Sequence, residues 1–350
     1  MTITFSRRGG WRALFSLLLL IALAACTTVP AVPAQPPAPQ ATALPTDVPV
    51  SAATNTPLYP ATAIFAEDTP PPAPTTTFTA TPAFTATPDA SVRFAVIGDY
   101  GVARQETADV AALVKSWNPD FVITTGDNNY PNGESETIDD NIGQFYQEYI
   151  YPYAGSYGPG GEVNRFFPSL GNHDWQTPGA QPYLDYFELP GNERYYDFVW
   201  GPVHFFALDS DSSEPDGVGS SSAQAEWLRN GLSASASPWK IVYMHHPPYS
   251  SGTHGGIEYM RWPFQEWGVT AVISGHDHTY ERIVINDFPY FVNGLGGWPA
   301  YDFNTPVPGS QVRYRADHGA MLVAADPGQI TFTFVNRQGE LIDAYAIQGE

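Results

Sequence analysis

Five short stretches collect the side chains that can do chemistry. They are Gly98-Asp99-Tyr100-Gly101, Gly126-Asp127-Asn128-Asn129-Tyr130, Gly171-Asn172-His173-Asp174, His245-His246 and Gly275-His276-Asp277-His278. Each comes just after an apolar run. The metal donors read from among them are two aspartates, one asparagine, three or four histidines and one tyrosine. A single ion rarely needs so many protein ligands, so the inventory fits a pair of metal ions better than one. Carboxylate, imidazole and amide oxygen suit iron, zinc or manganese, and the absence of thiolate argues against a structural zinc or an iron–sulfur site. Phenolate is a hard anionic donor, so Tyr130 adds a preference for ferric iron at one position. Its alternative role is to pack a loop.

Such donors must be brought together by the elements before them. RFAVIG (93–98), DFVITTGD (120–127), HFFALDS (204–210), KIVYMHH (240–246) and TAVISGHDH (270–278) read as buried strands. Helical spacing covers Glu106 to Trp117 and SAQAEWLRNGL (222–232), and a helix is predicted over 139–149. Near-continuous apolar strands alternating with helices indicate sheets covered on both faces. Strand ends of such sheets gather along one edge, where these folds bind ligands. Glycine lets the backbone turn sharply there and aim the next side chain inward. His276 and His278, two apart, are expected on the same side of an extended segment. After residue 280, short strands separated by turns predict a hairpin-rich antiparallel C-terminal sheet.

The remaining sequence sets the context. Arg7, Arg8 and Arg12 precede an apolar run from Ala13 to Ala25, too short to span a bilayer comfortably, which reads as an export signal over residues 1–26. The only cysteine, Cys26, closes Leu23-Ala24-Ala25-Cys26, which resembles the lipobox of bacterial lipoproteins and implies a lipid anchor. Residues 27–90 hold 15 prolines and 15 threonines and no lysine or arginine, the composition of a disordered tether. As a flexible coil it would span about 40–50 Å. The expectation is an exported domain, residues 91–350, held at a cell surface by lipid. That domain has 12 basic and 32 acidic side chains. So acidic a surface disfavours nucleic acid and other large polyanions as partners.

The five ordered motifs, with Tyr130 and the spacing from His245 to His254, resemble the metallophosphoesterases of calcineurin-like fold, and within them the purple acid phosphatase branch. The resemblance covers about residues 93–325. It implies a four-layer α/β/β/α sandwich in a single catalytic domain. It further implies that Asp99, Tyr130 and His278 bind a ferric ion, that Asn172, His245 and His276 bind a divalent iron, zinc or manganese ion, and that Asp127 bridges the two. His245 directly ends its strand and precedes a proline by two residues, as in the family; His246 beside it offers the same donor. His173 and His254 match two histidines that contact the substrate phosphate and assist the leaving group, and Asp174 and Asp277 read as carboxylates that orient neighbours. The implied reaction is hydrolysis of a small phosphate monoester by a metal-bound hydroxide, active at acidic pH.

Two other functions fit parts of the sequence. The same metal pair serves phosphodiesterases and nucleotidases, and loops 176–195 and 294–315 are the places where that choice would be made. A non-catalytic surface binding module suits the tether, but decay would have broken at least one of the motifs. His204, within a strand, and His318, beside a turn glycine, need no chemical role. GLGGWPAYDF (294–303) either lines the substrate entrance through Trp298 and Tyr301 or forms a hydrophobic turn.

Overall fold

A computed structural model of the chain describes residues 91–349. The export signal, Cys26 and the proline- and threonine-rich tract lie outside the described residues. Among those described, no helix is long and apolar enough to cross a membrane.

The first half of the fold runs β1 (Val92–Ile97), α1 (Gln105–Ser116), β2 (Phe121–Thr124), α2 (Ser135–Ile138), α3 (Gln144–Tyr146), β3 (Phe166–Pro168), α4 (Gln181–Tyr186) and β4 (Tyr196–Trp200). The second runs β5 (Val203–Ala207), α5 (Ala223–Ala234), β6 (Trp239–Tyr243), β7 (Ala271–Ser274), β8 (Tyr280–Ile285) and β9 (Phe288–Asn293). It ends with β10 (Ser310–Tyr314), β11 (Gly319–Asp326), β12 (Gln329–Asn336) and β13 (Leu341–Gln348). One sheet has the order β13-β12-β11-β1-β2-β3 and the other β10-β8-β9-β7-β6-β5-β4. β1, β2 and β3 are parallel, as are β5, β6, β7 and β9.

Alternation along the strands builds the layers. Phe205 and Ala207 of β5 join the core between the sheets, while Phe206 and Leu208 turn outward to meet Ala225, Leu228 and Leu232 of α5. Phe94 closes the inner layer, stacked on Phe121 at 5.2 Å and edge-on to Phe205 at 4.9 Å. Each such buried ring stabilises the sandwich by about 1.5–3 kcal/mol. α1 buries Val110, Ala111 and Val114 on the outer face of the first sheet. α5 starts where the Ser222 hydroxyl accepts from the Ala225 N–H at 3.1 Å, a side-chain cap. The four-layer α/β/β/α sandwich stands as expected.

Two details differ from the sequence reading. The helix expected over 139–149 begins earlier, with α2, and is broken across that span into a π turn over Asp139–Gly143, α3 and a 3₁₀ turn over Gln147–Tyr149. The Asp139 carboxylate folds back over Gly143, where it accepts from Tyr153 (2.6 Å) and Tyr186 (2.9 Å). A Cβ on Gly143 would meet that carboxylate oxygen at 2.0 Å. The strands after residue 280 also do not form one sheet. β8, β9 and β10 complete the second sheet and β11, β12 and β13 the first, because the parallel strands β1 and β7 each leave an edge of unpaired backbone groups that needs a partner. The connection from β9 to β10, residues 294–309, passes over the ends of β1 and β2, beside the donors, with the Gly296 and Trp298 N–H groups donating to Gly98 and Asp99 C=O and the Trp298 ring against Tyr130.

Candidate metal centre

Asp99 comes after β1, Asp127 after β2, Asn172 after β3, His245 after β6, and His276 and His278 after β7. Parallel strands from both sheets deliver these side chains to one edge of the sandwich. Backbone bonds across that edge fix the loops: Gly296 N–H donates to Gly98 C=O at 2.9 Å and Asp99 N–H to Gly126 C=O at 3.1 Å. Three of the donors adopt left-handed backbone conformations, Asp99 (φ 55°), Asp127 (φ 53°) and His276 (φ 70°). Side chains other than glycine rarely take these values, and such strain concentrates at functional sites. The sharp turn therefore falls largely on the donor itself. Of the glycines before the donors, Gly126 has φ 86°, whereas Gly171 serves close approach: a Cβ there would meet the Asp127 carboxylate at 2.3 Å.

The donors divide into two groups around Asp127. The Tyr130 hydroxyl lies 2.8 Å from Asp127 Oδ2, 3.3 Å from Asp99 Oδ1 and 3.2 Å from His278 Nε2. On the other side, His245 Nε2 lies 3.3 Å from Asp127 Oδ1 and 2.9 Å from Asn172 Oδ1, with His276 Nδ1 at 3.1 Å from that amide oxygen. His276 and His278 thus enter different groups. The segment carrying them is a turn, with His276 left-handed, and is not extended as expected. His245 is the histidine that meets Asp127 and Asn172. His246 contributes another ring nitrogen, within 4.8 Å of those of His245 and His276, but its Nδ1 is 3.0 Å from the Ser210 hydroxyl. Burial and then the charge of His245 push the His246 pKa down to about 3.

The donor chemistry fits cations. His245 Nδ1–H donates to Thr125 C=O at 2.8 Å and His278 Nδ1–H to Pro299 C=O at 2.9 Å, which turns both Nε2 lone pairs into the cleft. Asp99, Asp127, Tyr130, His245 and His278 are each at most 2 % exposed, and the two carboxylates face imidazoles: His278 beside Asp99, and His245 and, farther off, His173 beside Asp127. Burial opposes charge on His245, yet Asp127 and Asp99 outweigh it and push its pKa up to about 10, so the pocket favours positive charge. Burial, then the charges of Asp127 and Asp99, push the Tyr130 phenol well above its ordinary pKa. Ionising it requires a positive charge beside it.

Around this centre sit the residues read as assisting it. The His173 ring lies 4.4 Å from that of Tyr130, tilted by 53°; its Nδ1–H donates to Pro131 C=O at 2.5 Å, and its Nε2 is 4.0 Å from Asp127 Oδ2. His254 lies at the mouth, its ring 4.5 Å from that of His276. Asp277 accepts from the His254 N–H (2.8 Å), the Gly255 N–H (3.2 Å) and the Ser250 hydroxyl (2.5 Å), which fastens the His254 loop to the segment bearing His276 and His278. Asp174 accepts from the backbone N–H of Gly171 (2.8 Å) and Asn128 (3.1 Å), joining the loops after β2 and β3. Burial and the charge of Asp127 raise its pKa to about 7. His204 bonds Asp197 and Ser235 and lies away from the centre. No residue pattern signals the carbonyls of Thr125, Pro131 and Pro299, because any residue can supply one. Sequence reasoning also misses Asn141; it donates to the carbonyl of Tyr130 at 3.0 Å and could be suspected only as a polar residue in a covering helix.

Comparison with known proteins bears on the family and the fold. Tartrate-resistant acid phosphatase type 5 of Mus musculus is 24% identical over 292 residues, covering 72% of this chain and 89% of that protein. Purple acid phosphatase 4 of Arabidopsis thaliana is 26% identical over 292 residues, covering 72% and 82%. The structure of a purple acid phosphatase from yellow lupin seeds superposes with a TM-score of 0.61 at 18% identity, over 74% of this chain and 54% of that one, and so shares the fold. The sequence model of the calcineurin-like phosphoesterases matches residues 92–280. The chain belongs to the calcineurin-like phosphoesterase family.

Proposed function

We propose that the protein is a binuclear metal-dependent phosphomonoesterase of the acid phosphatase type. The observation that carries the reading is the division of donors by Asp127: one carboxylate oxygen faces Tyr130 and the other faces His245. Asp99, Tyr130, His278 and Asp127 would hold a ferric ion, and Asn172, His245, His276 and Asp127 a divalent one. Such a pair neutralises phosphate charge and lowers the pKa of a bound water. The protein's own groups do the rest. His173, with Nδ1 committed to Pro131, would present Nε2 to the substrate, and His254, its ring 4.5 Å from that of His276, would reach it from the loop between β6 and β7. Either can donate a proton to the departing oxygen or hydrogen-bond to it. The Asp277 clamp keeps His254 in register with the donors.

The reading extends to place: export, a lipid on Cys26 and residues 27–90 as a tether, supported by the N-terminal sequence alone. Cys26→Ser should release the protein from membranes; continued membrane association would contradict the anchor.

The test of activity is turnover of a phosphate monoester against a diester, with metals counted on the same sample. Two ions per chain and preferential monoester hydrolysis are expected. Diester preference would reassign the substrate class to phosphodiesters, and turnover unchanged in Asn172→Ala would overturn the metal mechanism.

A further inference from the structure

The segment Trp298–Tyr301 lies directly behind one of the two donor groups. The Trp298 ring stacks on Tyr130 with centroids 4.1 Å apart and planes 17° from parallel, and the Arg104 guanidinium covers the indole at 5.0 Å. The Trp298 N–H donates to Asp99 C=O at 2.9 Å. Pro299 C=O takes the His278 Nδ1–H, and Tyr301 stacks on the His278 ring at 3.8 Å and 17° while its N–H donates to His278 C=O at 3.0 Å. His318 Nε2, 3.0 Å from Trp298 C=O, ties the segment to the start of β11. This one short segment thus touches Asp99, Tyr130 and His278. The other group is held by different parts of the chain, including Thr125 C=O on His245.

We infer that Trp298 is a positioning residue for the Asp99–Tyr130–His278 half of the centre, and that the Trp298–Tyr301 segment sets how firmly that half keeps its ion, independently of the other. The inference rests on the binuclear reading above. The physical reason is geometric. A phenol is free to swing about two side-chain bonds, and a donor that swings is a weak ligand. The flat indole face removes that freedom from Tyr130, while Pro299 and Tyr301 fix the tautomer and plane of His278. Groups that orient metal ligands typically matter by about 10–100-fold in metal affinity.

The experiment uses the full chain, loaded with iron and zinc and dialysed against rising chelator concentrations. Metal content and the visible spectrum are followed for wild type, Trp298→Ala and Trp298→Phe, with circular dichroism to verify folding. Trp298→Ala should lose one ion at about 10–100-fold lower chelator and keep the other as wild type does. Any tyrosinate absorption should fade in step with that loss. Trp298→Phe, which retains a ring to stack, should recover much of the retention. If the alanine variant does not fold, Trp298→Leu fills the space without a flat face and carries the same comparison. Retention of both ions at every chelator concentration, or loss of both together, would overturn the inference. Failure of the underlying reading shows on the wild type instead. A wild type that takes up no metal sinks both; one that binds two ions without phosphatase activity sinks only the function, and the variants still decide the inference.

Discussion

The two halves of the centre share Asp127 and differ in almost everything else. Asp99 and Tyr130 bring one carboxylate and one ionisable phenol to the first half, with His278 as the neutral donor. Asn172, His245 and His276 bring only neutral donors to the second. The first half is packed under Trp298 and Tyr301, and the second opens toward His254 and the partly exposed Asn172. Anionic, buried donors favour the more highly charged ion, because low dielectric magnifies charge pairing, while neutral donors near solvent suit a divalent ion that must also meet substrate. One fold edge thus makes two unlike candidate sites through the side chains placed at the end of each strand.

The sharpest way to break the comparison is to remove what the halves share. Asp127→Asn should empty both and abolish hydrolysis, read as metal content near zero. Asn172→Ala should act on one half only: one ion lost, the other kept, and hydrolysis down about 10²–10³-fold, the range for losing one stabiliser of developing charge. His254→Ala should leave both ions in place and slow turnover by about 10²-fold, with the effect larger for substrates with poor leaving groups. Loss of metal in that variant would place His254 among the ligands.

The smallest effect lies outside the centre and serves as its control. Burial works against the charge on Asp139, but bonds from Tyr153, Ser156 and Tyr186 outweigh it and lower its pKa below the ordinary value of 3.8. A carboxylate with a depressed folded-state pKa contributes stability above its unfolded pKa and loses it as pH falls through the folded one. Asp139→Asn should therefore reduce stability by about 1 kcal/mol near neutral pH, solvent screening keeping the effect this small, with the difference from wild type shrinking below about pH 4 and metal content unchanged. A difference that grows on acidification would have the wrong sign.

How much of this was legible in the sequence depends on where the signal lies. Asp99, Asp127, Asn172, His245 and His278 each stand just past an apolar run, and strand ends of parallel sheets have only one place to go. The turn at His276 was not legible, because it is set where the loops after β1 and β7 meet: the His276 N–H donates to the Asp99 carboxylate, and a Cβ on Gly275 would meet Asp99 Oδ2 at 2.5 Å. Nor was the division of the C-terminal strands between the sheets, since a hairpin pattern does not say which edge it extends. The break at Asp139 arises from Tyr153 and Tyr186, which contact it from 14 and 47 residues away in sequence. Trp298 and Tyr301 were ambiguous for the same reason: their partners, Tyr130 and His278, are brought to them only by the assembled sandwich.

The central claim, that two unlike ions meet at Asp127 with a phenolate on one of them, is tested most directly by the visible spectrum of the purified, iron- and zinc-loaded protein beside Tyr130→Phe. The predicted result is two metals per chain and a broad tyrosinate-to-iron band that vanishes in the variant. A colourless wild type with two divalent ions and full phosphoesterase activity would contradict the claim, returning Tyr130 to loop packing.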